Sequence, residues 1–229
     1  SLLNTLTATG VKQIVFSSTC ATYGEPVRIP MDEDHPQHPR SPYGWSKFFV
    51  ERMLEDFDRA YGTRFVGLRY FNAAGATESR GEDHKPETHL IPLVLFAALG
   101  KRKQISVFGS DYGTHDGSCV RDYVHIADLA SAHWRALGYL RKGGKSDFFN
   151  LGTGRGQSVL EVIEAARRVS GREIPVTMES RRPGDASYLV AHAEKAGDIL
   201  GWQPTYLEIE QTIASAWKWH LAHPDGYAR

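Results

Sequence analysis

A chain of 229 residues can form one large domain or two small ones, and its 41% hydrophobic and 24% charged content is ordinary for a globular protein. The formal net charge is zero, so charge gives no reason to expect nucleic acid or an anionic membrane as a partner. No apolar run approaches the roughly 18 residues of a membrane span, no signal peptide is expected, and two distant cysteines, Cys20 and Cys119, fit a reducing cytoplasm without a disulfide framework.

In chain order, residues 2–9 predict the last turns of a helix stopped by Gly10. Residues 11–16 are apolar and β-branched and predict a buried strand. That strand opens into a hydroxyl-rich loop, 17–24, at the edge where open α/β sheets gather ligand-binding groups. A hydroxyl cluster there is nonetheless more often turn chemistry than catalysis. After a segment rich in Pro, Asp and His, a helix is predicted from Tyr43, then a second buried strand over 65–70. Strand, helix and strand at this spacing imply a βαβ crossover and a parallel sheet. Residues 77–88 are polar and irregular. Further helices are predicted near 90–99, 126–140, 159–170, up to Leu200 and 209–220, with short strands near 105–108, 148–151, 176 and 188–191. The glycine-rich turn 152–156 lacks the spacing of the dinucleotide and P-loop fingerprints and reads as structural. Trp202, Trp217 and Trp219 read as packing residues.

The stretch Ser41-Pro42-Tyr43-Gly44-Trp45-Ser46-Lys47 carries the most chemistry. Four residues apart on a helix, Tyr43 and Lys47 project from one face. An ammonium beside a phenol favours the phenolate and lowers the tyrosine towards the working range of a general base. The same spacing also arises by chance in ordinary helices.

Five stretches together resemble the extended short-chain dehydrogenase/reductase family: 17–25 (SSTCATYGE), 41–47 (SPYGWSK), 68–76 (LRYFNAAGA), 116–129 (DGSCVRDYVHIADL) and 181–185 (RRPGD) with the later Leu200-Gly201-Trp202. The match is closest to the branch that interconverts UDP-glucose and UDP-galactose through NAD-dependent oxidation at sugar C4. The resemblance implies an α/β fold: a partial Rossmann-type parallel sheet (1–72 and 122–152) with a smaller mixed α/β substrate domain (73–121 and 153–229). It also implies a cytoplasmic homodimer. By that resemblance Tyr43 is the base, Thr19 hydrogen-bonds the same sugar oxygen, and Lys47 holds the nicotinamide ribose and depresses the Tyr43 pKa. Phe71 lies beside the nicotinamide. Arg121 and Arg182 grip the UDP pyrophosphate, Asp185 meets a ribose, and Val107 and Phe108 border the uracil. Asn72, His89 and Leu90 line the sugar diphosphate, and Leu189 stands at the gate of the pocket that would take an N-acetyl group. Leucine there implies UDP-glucose and UDP-galactose as main substrates, with weak or no use of N-acetylated sugars.

The related 4,6-dehydratases carry an Asp-Glu pair after the loop threonine, where this chain has Cys20-Ala21, so dehydration is disfavoured. UDP-arabinose/UDP-xylose 4-epimerases share the 17–25 wording and stay open as an alternative. So do a non-catalytic UDP-sugar-binding module and a fragment without function of its own. No Gly-x-x-Gly-x-x-Gly occurs. The first strand would be the family's fourth, so the expectation is a chain lacking the N-terminal third of the enzyme and inactive alone.

Overall fold

The computed structural model describes residues 2–227. In chain order the elements are α1 (Leu2–Ala8), β1 (Gln13–Thr19), α2 (Pro42–Tyr61), β2 (Arg64–Tyr70), β3 (Asn72–Ala74), α3 (Leu90–Ala98), β4 (Ile105–Phe108), β5 (Val120–His125), α4 (Ile126–Arg141), β6 (Asp147–Leu151), β7 (Gly156–Ser158), α5 (Val159–Ser170), β8 (Val176–Glu179), β9 (Tyr188–Leu189), α6 (Glu194–Leu200) and α7 (Ile209–Ala222). One 3-10 turn, Cys20–Thr22, follows β1 directly. The α/β class and parallel sheet expected from sequence are those observed.

β1, β2 and β6 form a parallel sheet in that order, with Thr19 beside Tyr70 and Tyr70 beside Leu151 at its C-terminal edge. β2 is buried along almost its whole length, as a central parallel strand covered on both faces must be. On one face, α4 and α6 pack Leu129, Ala132, Leu140, Leu200 and Trp202 onto Val66, Leu68 and Phe149. On the other, α2 packs Val50 and Leu54 against Phe65 and Phe148. Gly67 gives that face its close fit, since a Cβ there would sit 2.4 Å from the Phe148 ring. β1 begins two residues later than the sequence pattern suggests and runs three further, so Thr19 is its last residue.

β5 pairs with β3 and β9 in parallel and with β7 antiparallel, forming a second sheet. β4 and β8 make a separate parallel pair. Around them α3, α5 and α7 bury their own core, including Val94, Leu95, Val162, Ile163 and Ile213. Two strands connect these layers: β3 continues the chain straight from β2, and β5 runs directly into α4. Residues 121 and 122 are neighbours within β5, and α6 with Trp202 packs on the first sheet.

Candidate active site

Three consecutive residues at the end of β1 are each anchored by a different element. The Ser17 carbonyl accepts from Lys47 Nζ at 3.0 Å, and its hydroxyl lies 2.8 Å from His133 Nε2 on α4. Ser18 donates to Glu51 Oε1 on α2 at 2.5 Å. Thr19 Oγ1 accepts from the Ala21 amide at 3.2 Å and so caps the 3-10 turn. Beneath them Glu51 and Arg69 form a buried ion pair, with Arg69 Nη2 2.8 Å from Glu51 Oε2 and Nε 2.9 Å from Oε1. Arg69 Nη1 also donates to the Tyr23 hydroxyl, which donates in turn to Asn150 Oδ1 at 2.6 Å.

α2 brings Tyr43 to this edge. Ser41 caps the helix by accepting from the Gly44 amide at 3.0 Å, and Pro42 takes the first position, where a missing N–H costs nothing. Gly44 packs directly on the Thr19 turn: a Cβ there would lie 2.5 Å from the Ala21 carbonyl oxygen. Tyr43 itself is 53% exposed and lines the large cavity described below. Partial burial raises its phenol pKa, and the Thr19 hydroxyl pulls it back.

That effect of Lys47 differs from the sequence expectation. Its Nζ lies 5.7 Å from the Tyr43 ring centroid and is held by the Ser17 carbonyl, over the Phe16 ring. The ammonium is on the same helix face as Tyr43 but sits against β1, and the phenol's upward shift comes first from its own burial.

A cavity of about 570 Å³ runs from Thr19 and Tyr43 to the second sheet. Its walls include Phe71, Asn72, His89, Leu90, Phe108, Arg121, Arg182 and Asp185. Arg121 Nη2 lies 3.8 Å from Asp185 Oδ1, and the Arg182 guanidinium stacks 3.7 Å above the Phe108 ring. Two expected residues lie elsewhere. Val107 points into the α3–α5–α7 core, because successive strand residues face opposite ways and Phe108 takes the cavity side. Leu189 packs against the cluster of Cys20, Tyr23, Met31, Phe71 and Ala191, so it borders the cavity only through Phe71.

The 152–156 turn is occupied by the protein's own anion. Asp122, buried, accepts from the Thr153 amide at 2.8 Å, the Thr153 hydroxyl at 2.7 Å and the Gly154 amide at 3.0 Å. Burial pushes its carboxyl pKa up, and these donors oppose the rise. Sequence reasoning missed Glu82, Thr88 and Arg102 on the cavity wall. Their segments looked irregular, and only an excess of charged and imidazole side chains marked them.

A profile of the NAD dependent epimerase/dehydratase family matches residues 1–152. The chain is 53% identical over 230 residues to UDP-glucose 4-epimerase of Halalkalibacterium halodurans, covering 100% of this chain and 69% of that protein. It is also similar in structure to solved enzymes. A crystal structure of UDP-glucose 4-epimerase superposes with a TM-score of 0.96 at 47% identity, covering 100% of this chain and 70% of the other. The UDP-glucose 4-epimerase of Bifidobacterium longum, in complex with NAD+ and UDP, superposes at 0.92 and 41% identity, covering 99% and 68%. The chain belongs to the NAD dependent epimerase/dehydratase family.

Proposed function

We propose that this chain carries the catalytic and UDP-sugar-binding part of a UDP-glucose/UDP-galactose 4-epimerase. One observation carries the reading: Thr19 and Tyr43 line the same cavity as Arg121, Arg182, Asp185 and Phe108. Guanidinium forks suit a pyrophosphate, and an aromatic ring beside a cation suits a flat base. A nucleotide held there leaves its sugar free to reach Tyr43. Relatives named for the same activity, and a neighbour solved with NAD+ and UDP, support the assignment.

The nicotinamide end of an NAD molecule has its residues here, with Thr19, Tyr43, Lys47 and Phe71 gathered at the C-terminal ends of β1 and β2. The glycine-rich cradle for its pyrophosphate is not among the 229 residues. When bound, NAD supplies the acceptor and donor for the C4 hydride. Tyr43, as phenolate, would take the proton of the sugar C4 hydroxyl. Thr19 hydrogen-bonds the same oxygen and orients it. Lys47, held over β1, meets the ribose. After the sugar turns, Tyr43 would return the proton to the same C4 oxygen.

A homodimer is supported by α2, whose Trp45, Phe49 and Met53 recur every four residues and are exposed. No helix among the described residues is long and apolar enough to cross a membrane.

The test is conversion of UDP-galactose to UDP-glucose by this chain extended at its N-terminus to the length of its relatives. NAD-dependent conversion is expected, with UDP-N-acetylglucosamine used weakly or not at all. Tight UDP binding without conversion would favour the non-catalytic module. Preference for UDP-xylose and UDP-arabinose would favour the pentose reading.

A further inference from the structure

We propose that the loop 82–89 holds a divalent transition-metal cation, with Glu82, His84, Glu87 and His89 as its protein ligands. One potential ligand atom from each of the four lies within 4.8 Å of the others. Among the described residues it is the one group of histidine, cysteine and carboxylate donors that converges in this way. The His84 and His89 rings face each other with centroids 5.5 Å apart. His89 Nδ1 lies 2.8 Å from Glu87 Oε1 and 4.0 Å from Glu82 Oε1.

A second observation separates this group from a solvated patch of polar residues. The Glu87 side chain is only 6% exposed. Its Oε1 accepts from the Thr88 and His89 amides, both at 2.7 Å, but its Oε2 is buried without any hydrogen-bond partner. A buried carboxylate oxygen with no partner is costly, and a cation bound by the Glu87 carboxylate would offset that cost. Two carboxylates and two neutral imidazoles carry a charge of −2, which a divalent ion balances. Imidazole nitrogen suits zinc, cobalt, nickel or copper, whereas magnesium and calcium prefer oxygen ligands throughout. Because Glu82 and His89 also line the large cavity, the ion would tie this loop across the cavity's rim and fix the start of α3.

The experiment strips the full 229-residue chain with a chelator. Zn2+ is then titrated by calorimetry, and Co2+ by visible absorption. One equivalent per chain is expected, with a rise in Tm on Zn2+ addition and no comparable response to Mg2+. His84→Ala alters an exposed ring and leaves the fold intact. It should weaken Zn2+ binding at least about 10-fold, the loss that removing even an outer-shell partner causes, and Glu87→Gln should do the same. Absence of saturable Zn2+ uptake would overturn the proposal. So would a Kd unchanged in both variants, which would put the ion on others of the chain's ten histidines.

Discussion

A phenol serves as a base near neutral pH only where its surroundings favour the phenolate. In this structure those surroundings work against Tyr43, since partial burial raises its pKa and only the Thr19 hydroxyl opposes the rise. A shift of Lys47 off the Ser17 carbonyl towards the phenol would supply an activating charge. Tyr43→Phe in the N-terminally extended enzyme should lower kcat at least about 10²-fold, the scale of a lost general base, with UDP affinity nearly unchanged. A variant within threefold of wild type would remove Tyr43 from the mechanism. Lys47→Met should also weaken NAD retention, measured by nucleotide extraction. Behind both lies Glu51, fully buried on the same helix and joined to Ser18 and Arg69. Glu51→Ala would leave Arg69 as an uncompensated buried charge, a loss of about 3–5 kcal/mol. Denaturant unfolding of Glu51→Ala beside the double variant Glu51→Ala/Arg69→Met measures it, and the double should recover part of the loss.

At the scale of elements, the meeting of α2 with the 3-10 turn after β1 sets the distance between Tyr43 and Thr19. Gly44 makes that meeting possible, because the Ala21 carbonyl and the Pro39 side chain occupy the space a side chain would need. Gly44→Ala should cost about 1–3 kcal/mol, as overpacking does, and lower kcat more than it raises KM, because it parts the two hydroxyls without touching the nucleotide end. Equal kinetics would show that the helix can slide without consequence. The sequence already carried α2, β2 and their crossover, because long apolar runs and a Ser-Pro cap are local signals. β5 escaped it for a physical reason: Arg121, Asp122 and His125 look like loop residues, yet the fold buries or half-buries them and satisfies them from other elements. The cavity residues on recognisable motifs were legible, whereas the opposite facing of Val107 and Phe108 needed the strand's register. The convergence of Glu82 with His89 is tertiary, and no short-range pattern encodes it.

For the molecule as a whole, two buried histidines shape its response to acid. His125 accepts from the Ala127 amide through Nδ1, lies 3.0 Å from Ser215 Oγ through Nε2, and stacks on Tyr206 at 3.7 Å. Burial lowers its pKa below the ordinary 6.5, and does the same for His220. The unfolded chain therefore takes up protons before the folded one. Their contribution is fully present above pH 6.5 and is lost as pH falls through the lowered values, so Tm should decline below 6.5 and hold above it. A Tm flat across that range would exclude both groups. β1 also bears on the state of the whole chain. It pairs with β2 along one side and has no strand partner along the other among the described residues, while Ile14, Val15 and Phe16 remain only half-buried. An unpaired apolar edge is a template for pairing with another chain, and the Trp45–Phe49–Met53 stripe of α2 adds a second apolar surface. The 229-residue polypeptide should therefore self-associate and carry no co-purifying NAD, as measured by light scattering and by chromatography of extracted nucleotide. Phe49→Glu separates the two surfaces: it should dissolve contacts made through α2 and leave association through β1. A monodisperse monomer carrying stoichiometric NAD would sink the idea, because NAD held that firmly needs the very edge of β1 to be closed.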